Sequence, residues 1–234
     1  MVGDDRVVTA PGDIEKDWAA RVGYVFGLTS GDPAERAIAL THLSEARSRV
    51  DVALERFNET WFLTRPLGAD QWNDPEMRRR QAEYSEAKRH AFPDALWGRP
   101  YGGLADWPGL PYALQYLEWE ARYPDDWTLH AKKWGSKEAL IRGLAIGDHR
   151  EPVRARLIQL VIAAVSRAYR CKDREYVRIA RAVDGDDLRV GLTGAATSSS
   201  PWARLHAGYV LRLLDEPELP NSRHTWRTWC AADV

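Results

Sequence analysis

The segment from residue 96 to residue 112 concentrates side chains that could hold a small ligand. It runs LWGRPYGGLADWPGLPY and contains Trp97, Arg99, Tyr101 and Trp107. Aromatic rings can stack on an aromatic or cationic group, and an arginine can pair with an anion. These four residues are therefore candidates for binding a small aromatic or anionic ligand. The alternative is that the rings pack a long connection onto the helices beneath it, with no ligand.

A second group of residues could contact nucleic acid. Tryptophans can stack on bases while lysines and arginines contact phosphates. The chain has 33 Lys and Arg against 34 Asp and Glu, a net charge of -1, which disfavours DNA because DNA-binding proteins carry a basic surface. For the C-terminal tryptophans, the alternative is a terminal helix that caps the fold. The candidate residues are Asp126, Trp127, Lys132, Lys133, Trp134 and Arg227.

Metal and catalytic signatures are weak. Glu86 and His90 lie four residues apart, and His42 and Glu45 lie three apart, spacings from which metal sites in helical bundles are built. The recurring Glu-x-x-His motif of di-metal bundles is absent, so we expect neither a metal nor a cofactor. The chain also has no nucleophile elbow, phosphate-binding loop or dinucleotide fingerprint, which favours a protein that is not an enzyme.

The composition is that of an ordinary globular protein. With 234 residues, 44% of them hydrophobic, the chain can bury a large core without a disulfide or metal. Two cysteines predict a reducing compartment. The start of the chain lacks the features of a signal peptide, and the most apolar run, residues 157 to 165, is shorter than the roughly 20 residues that cross a bilayer. We therefore expect a cytoplasmic protein with no membrane partner.

Apolar residues recur at helical spacing along most of the chain. Helix starts are clear in GDPAERAIAL and NDPEMRRRQ, where Asp32 and Asp74 can cap and Pro33 and Pro75 occupy the first helical position. They predict a long helical hairpin block over residues 13 to 92. An aromatic, Gly- and Pro-rich connection follows over 93 to 111, and short helices fill 112 to 234. Because no segment alternates with period two, the sequence predicts a single all-α domain.

Two segments of the C-terminal block look alike. GDHREPVRARLIQLVIAAV and SSSPWARLHAGYVLRLL each have a polar turn, a proline that opens a helix, an arginine in the first turn and an apolar stripe. Asp148, Val153 and Arg154 complete the pattern in the first segment. Residues 136 to 215 therefore resemble HEAT-like repeats, which implies an irregular α-solenoid or HEAT-like helical array. A compact helical bundle is the alternative, because amphipathic periodicity does not separate the two.

Three functions follow from these patterns. The fold resemblance and the missing catalytic motifs favour a non-enzymatic binding module, most simply one that holds a protein partner. The chain length and repeats are also similar to those of the HEAT-like DNA glycosylases, which would make it an enzyme acting on nucleic acid. The third hypothesis is a small-molecule binder or tailoring enzyme that uses the segment from Trp97 to Trp107.

Overall fold

A computed structural model describes residues 11 to 232, and within that range every regular element is helical. The prediction of an all-α fold is confirmed. Turns of 3-10 helix at Gly23–Thr29, Arg65–Asn73, Asp94–Gly98 and Asp173–Glu175 supplement the α-helices. The α-helices are α1 (Pro11–Val22), α2 (Pro33–Thr64), α3 (Pro75–Arg89), α4 (Leu110–Arg122), α5 (Pro124–His130), α6 (Trp134–Leu144), α7 (Val153–Val165), α8 (Tyr176–Ala182), α9 (Asp186–Ala196), α10 (Pro201–Asp215) and α11 (Arg223–Ala232).

The chain forms two compact units, Met1–Gly98 and Arg99–Val234. The boundary between them falls inside the segment 93 to 111 that the sequence predicts to be a connection. The first unit contains α1 to α3, and the second contains α4 to α11. Each unit is described by itself below.

The first unit is dominated by the antiparallel pair of α2 and α3. The Asp32 side chain accepts a hydrogen bond from the Ala34 amide at 2.9 Å, and the Asp74 side chain accepts one from the Met77 amide at 2.9 Å. Both aspartates therefore cap their helices as the sequence predicts. α2 is 32 residues long, and only a narrow strip of it is buried. That strip includes Ala46 and Val50, which pack with Ala91.

The second unit is built around α4 and α7. α4 has ten of its thirteen residues buried, so it is covered on most of its surface. α7 packs against α4, α8, α9 and α10. This arrangement is compatible with a helical array and with a compact bundle.

α11 closes the described chain against α10. The Trp229 indole donates a hydrogen bond to the Leu205 carbonyl at 3.0 Å, and the Trp226 ring meets the Tyr209 ring edge to face at 4.8 Å. These contacts are those of a terminal helix packed through its tryptophans. Within residues 11 to 232, no helix combines the length and the apolar content that a bilayer crossing requires.

Candidate functional site

The end of the α2–α3 hairpin presents four large apolar side chains to solvent. Phe62 is 63% exposed, Leu63 80%, Leu67 52% and Trp72 47%. They come from the last turn of α2 and from the 3-10 turn that joins it to α3, so they lie at the same end of the hairpin. We call these four residues the hairpin-end surface. Scattered exposed apolar residues are ordinary, whereas a local group of them commonly marks an interaction site.

The backbone that carries the hairpin-end surface is fixed by polar contacts. Thr64 Oγ1 donates to the Thr60 carbonyl at 2.9 Å where α2 ends. The chain then reverses through Gly68, whose φ of 60° suits glycine. Arg78 Nε donates to the Trp72 carbonyl at 3.0 Å, and Nη2 donates to Asn73 Oδ1 at 2.9 Å. The exposed side chains therefore project from an ordered turn.

Beneath this surface lies a separate set of buried anchors. Met77 is fully buried, and Thr64 Oγ1 lies 4.0 Å from its sulfur. The half-buried Trp61 ring meets Phe62 edge to face at 5.1 Å, and the Arg65 guanidinium lies 5.8 Å from the Trp61 ring centre. Of the four exposed side chains, Phe62 contacts this layer through Trp61, and more than half of the Phe62 surface still faces solvent.

The four residues of the predicted ligand loop have different surroundings. Trp97 belongs to the first unit, is 61% exposed, and has the Lys88 ammonium 5.8 Å from its ring centre. Arg99 and Tyr101, in the second unit, line one open groove of about 370 Å³. Glu138 and Arg142 of α6 line the same groove, so a carboxylate and two guanidinium groups face it together with an exposed tyrosine.

Trp107 lies against its own loop. The ring covers Gly109 so closely that a Cβ on that glycine would clash with the indole. Trp107 is half-buried and is not among the residues that line the groove of Arg99 and Tyr101.

The residues of the nucleic-acid hypothesis lie in several environments. Trp127 is fully buried, with the Tyr116 and Trp134 rings 5.6 and 5.0 Å away. A fully buried ring offers no face on which a base could stack. Trp134 and Asp126 are half-buried, whereas the remaining members of the group, Lys132, Lys133 and Arg227, are exposed.

Sequence reasoning did not find a cluster of five charged residues in the second unit, of which Glu120, Lys137 and Asp173 are buried and Arg167 and Arg170 are half-buried. Lys137 is fully buried, and its ammonium lies 2.6 Å from Asp173 Oδ1 and 3.1 Å from Glu120 Oε2. Arg167 bridges the same two carboxylates at 2.7 Å each. The Arg170 Nε atom lies 2.7 Å from Glu120 Oε1. The cluster thereby ties α4 and α6 to the segment after α7.

The surroundings of this cluster are aromatic. The Lys137 ammonium lies 5.6 Å from the Trp134 ring centre and 5.5 Å from that of Tyr176. Burial raises the pKa of the Tyr176 phenol well above its usual value, and the carboxylates of Glu120 and Asp173 act in the same direction. Tyr176 is therefore a neutral hydroxyl beside a buried ion network. In isolation, each of the five charged residues has the sequence signature of a surface residue.

Among residues 11 to 232, no group of three or more His, Cys, Asp or Glu side chains is placed to hold a metal ion. His90 Nε2 and Glu86 Oε1 are 3.0 Å apart, a pair on the helix surface.

Comparison with protein-family models, with curated proteins and with solved structures finds no match for this chain.

Proposed function

We propose that the protein is a non-enzymatic binding module that holds a protein partner on the hairpin-end surface. The observation that carries the proposal is the exposure of Phe62, Leu63, Leu67 and Trp72 at one end of an ordered helical hairpin. A partner with an apolar surface would remove these side chains from water. Each large apolar side chain that becomes fully buried contributes about 1.5 to 3 kcal/mol, so a few anchors suffice for a specific complex.

The order of the turn supports the same proposal. Because Arg78 binds the Trp72 carbonyl and the Asn73 side chain, less conformational freedom is left to lose in this turn when a partner binds. Tryptophan and arginine are also the residues most enriched at the energetic centres of protein interfaces. The hairpin end offers both in a preformed geometry.

Site-specific photocrosslinking in the native cell tests the proposal. A photoreactive amino acid at position 63 should give a discrete crosslinked protein band. The matched control places it at Leu129, which is 74% exposed on α5 against 80% for Leu63. The control should give no discrete band, because Leu129 lies outside the hairpin-end surface. Since its exposure is close to that of Leu63, a difference in crosslinking would reflect the location of the residue and not its exposure.

A double variant, Phe62→Ser with Leu63→Ser, separates binding from folding. Both side chains are exposed, so the free energy of unfolding should change by less than about 0.5 kcal/mol per residue. The complex detected by crosslinking elsewhere on the hairpin, for example at Trp72, should disappear. Equal crosslinking at positions 63 and 129, or an unchanged complex in the double variant, would contradict the proposal.

The second candidate function is small-molecule binding in the groove of Arg99 and Tyr101. Its support is the convergence of Arg99, Arg142 and Glu138 on one groove of about 370 Å³, a size in the range of ligand sites. Native mass spectrometry of protein purified from its own extract should then detect a bound small mass. That mass should vanish in Arg99→Ala with Tyr101→Ala, and should persist in Trp107→Ala.

The third alternative, a HEAT-like DNA glycosylase, lacks a comparable observation. Its aromatic residue Trp127 is buried, and the net charge of the chain is -1.

A further inference from the structure

A line of exposed side chains runs along most of α2 in the first unit. Its members follow one another at alternating steps of four and three residues, a spacing that keeps them on one side of an α-helix. The buried strip of α2, which includes Ala46 and Val50, lies on a different side. We call this line the α2 stripe, and its exposed members are Ile38, His42, Glu45, Arg49, Val52, Arg56, Glu59 and Leu63.

The charged members of the α2 stripe are exposed to solvent. In the part of the chain that the structure describes, no ion pair engages Glu45, Arg49, Arg56 or Glu59. The His42 ring meets the Tyr24 ring edge to face at 5.9 Å and is still exposed. A second molecule with charges at matching positions would therefore find these groups without a counterion.

An open groove of about 360 Å³ lies at the middle of the α2 stripe. Its lining consists of Ser48, Arg49, Val52, Ala53, Arg56 and, from α3, Glu83. The Val52 side chain is 45% exposed. The Glu83 carboxylate is already paired with Arg80 at 2.9 Å. The groove thus presents apolar side chains between two guanidinium groups, and the acid on its α3 side is already engaged.

The charges of the α2 stripe are complementary to the same stripe read in reverse. Consider two copies of α2 that lie antiparallel about a two-fold axis between residues 50 and 51. Glu45 of one copy then lies opposite Arg56 of the second copy, and His42 lies opposite Glu59. Because the arrangement is symmetric, each pair occurs twice. Such a pattern of opposite charges stabilises one register and one orientation.

The apolar members of the stripe fit the same arrangement. At each end, Ile38 lies opposite Leu63 of the second copy, and these side chains are 60% and 80% exposed in the single chain. At the centre, Val52 lies opposite Arg49, whose aliphatic stem can cover an apolar side chain while its charged head stays in water. Pairing would therefore remove apolar surface from water at both ends and at the middle of the stripe.

Other arrangements of two stripes are less favourable. A parallel pair sets each residue against its own copy, so that Glu45 faces Glu45 and Arg56 faces Arg56, and opposed like charges repel. An antiparallel pair shifted by seven residues places either Ile38 opposite Arg56 or Leu63 opposite Glu45. The unshifted antiparallel register joins apolar with apolar and acid with base.

The size and symmetry of the contact suit a dimer. The stripe runs from residue 38 to residue 63, which corresponds to about 38 Å along the helix axis. A two-fold contact uses the same surface on both copies, so association stops at two. Because much of the contact consists of charge pairs near solvent, its affinity should fall as the salt concentration rises.

We propose that the protein forms an antiparallel homodimer through the α2 stripe. The partner is a second copy of this chain, held by the Glu45–Arg56 and His42–Glu59 pairs and by the contact of Ile38 with Leu63. The stripe shares Leu63 with the hairpin-end surface. The other three members of that surface lie outside the stripe, so the dimer does not depend on the partner proposed there.

Charge reversal with rescue tests the dimer, measured by sedimentation velocity of the full chain at low and high salt. The wild type should dimerise at low salt, and the dissociation constant should increase with salt. Glu45→Arg sets two arginines opposite each other and should raise the dissociation constant about tenfold or more, and Arg56→Glu should do the same. The double variant restores a pair of opposite charges and should dimerise like the wild type.

Asp51→Arg is the matched control for Glu45→Arg. Asp51 is exposed on α2 outside the stripe, and its replacement changes the net charge by the same amount. The dissociation constant should therefore stay close to that of the wild type. An increase equal to that of Glu45→Arg would mean that total charge controls association, and would overturn the assignment to the stripe.

Photocrosslinking determines the orientation of the two copies. A photoreactive amino acid at position 38 should give a product of twice the chain mass, with the link near Leu63. Because positions 38 and 63 of one straight helix are about 38 Å apart, such a link must join two copies. A product of twice the chain mass reports the dimer, whereas a product with a different protein at position 63 reports the hairpin-end partner, so the two proposals can fail separately.

Three outcomes would refute the dimer as proposed. A wild-type chain that sediments as a monomer at every concentration and salt would exclude it. A double variant as weak as the single variants would show that Glu45 and Arg56 do not meet. Links from position 38 to the same region of the second copy would indicate a parallel pair.

Discussion

The ammonium of Lys137 lies 2.6 Å from the Asp173 carboxylate, with side chains that are 0% and 7% exposed. The two residues are 36 positions apart in sequence, so their contact joins α6 to the turn before α8. Arg167 contacts the carboxylates of both Asp173 and Glu120 at 2.7 Å, which extends this contact into a network. The interior of the second unit therefore depends on charge pairing as well as on apolar packing.

Replacement of Lys137 by methionine should destabilise the second unit by about 1 to 3 kcal/mol. The substitution keeps the apolar stem and removes one charged partner from the buried carboxylates of Asp173 and Glu120, which keep their contacts with Arg167. Lys132→Met is the control, because Lys132 is exposed and makes only a 5.9 Å contact with the Trp134 ring. Urea unfolding of both variants measures the difference, and equal midpoints would contradict the role of the network.

Loss of the Asp74 cap should weaken the hairpin by about 1 kcal/mol. Asp74→Ala removes the acceptor for the Met77 amide at the start of α3. Asp70→Ala is the matched change, since Asp70 is exposed in the preceding turn and should have an effect below about 0.5 kcal/mol. The melting temperatures of the two variants, measured by thermal unfolding, give the comparison. If Asp70→Ala lowers the melting temperature as much as Asp74→Ala does, Asp74 does not act as a cap.

Two glycines of α6 should respond to alanine in opposite directions. A Cβ on Gly143 would lie 2.9 Å from Leu104 Cγ and 3.2 Å from the Gly102 carbonyl, and Leu104 is fully buried. Gly143→Ala should therefore destabilise the fold by about 1 to 2 kcal/mol.

Gly135 has open space where its Cβ would be, so Gly135→Ala should be neutral or stabilise by up to about 1 kcal/mol. Denaturant midpoints distinguish the pair. Stabilisation by Gly143→Ala would show that the loop around Leu104 gives way to the added methyl group.

Acid should weaken the protein partly through His206. Burial is the main cause that holds the pKa of His206 below its usual value, and Arg167 lowers it further while Asp173 opposes the shift. The unfolded chain therefore takes up this proton at a higher pH than the folded protein, and stability falls as the pH drops below about 6.5.

His206→Gln should reduce the loss of stability between pH 7.5 and pH 5.5, measured as the change in the urea midpoint. The other histidines are present in both the wild type and the variant, so their contribution to the pH dependence of stability is the same in the two proteins. An identical loss in the wild type and the variant would show that His206 does not contribute.

The helix starts were predictable because their signals are local. Asp32 and Pro33, or Asp74 and Pro75, supply a cap and a fixed φ within a few residues, and the structure places a helix at each. The bounds of short helices such as α5, with seven residues, are harder to predict because so few residues do not establish a period.

The sites were less accessible to sequence reasoning. The buried cluster joins Glu120, Lys137 and Asp173, whose proximity arises only when α4, α6 and the turn before α8 pack together. In the predicted ligand loop, the directions of Arg99 and Trp107 depend on backbone turns without periodicity. The groove lining and the packed position of Trp107 therefore emerge only in the structure.

The length of α2 makes the hairpin a long, straight spacer. Its 32 residues correspond to about 48 Å along the helix axis. Its only proline opens it, and it contains no glycine, so it lacks the residues at which helices usually kink. A partner bound at the hairpin-end surface would therefore lie at a fixed distance from Pro33. Lengthening α2 by whole turns would move that partner farther from Pro33 in steps of about 5.4 Å.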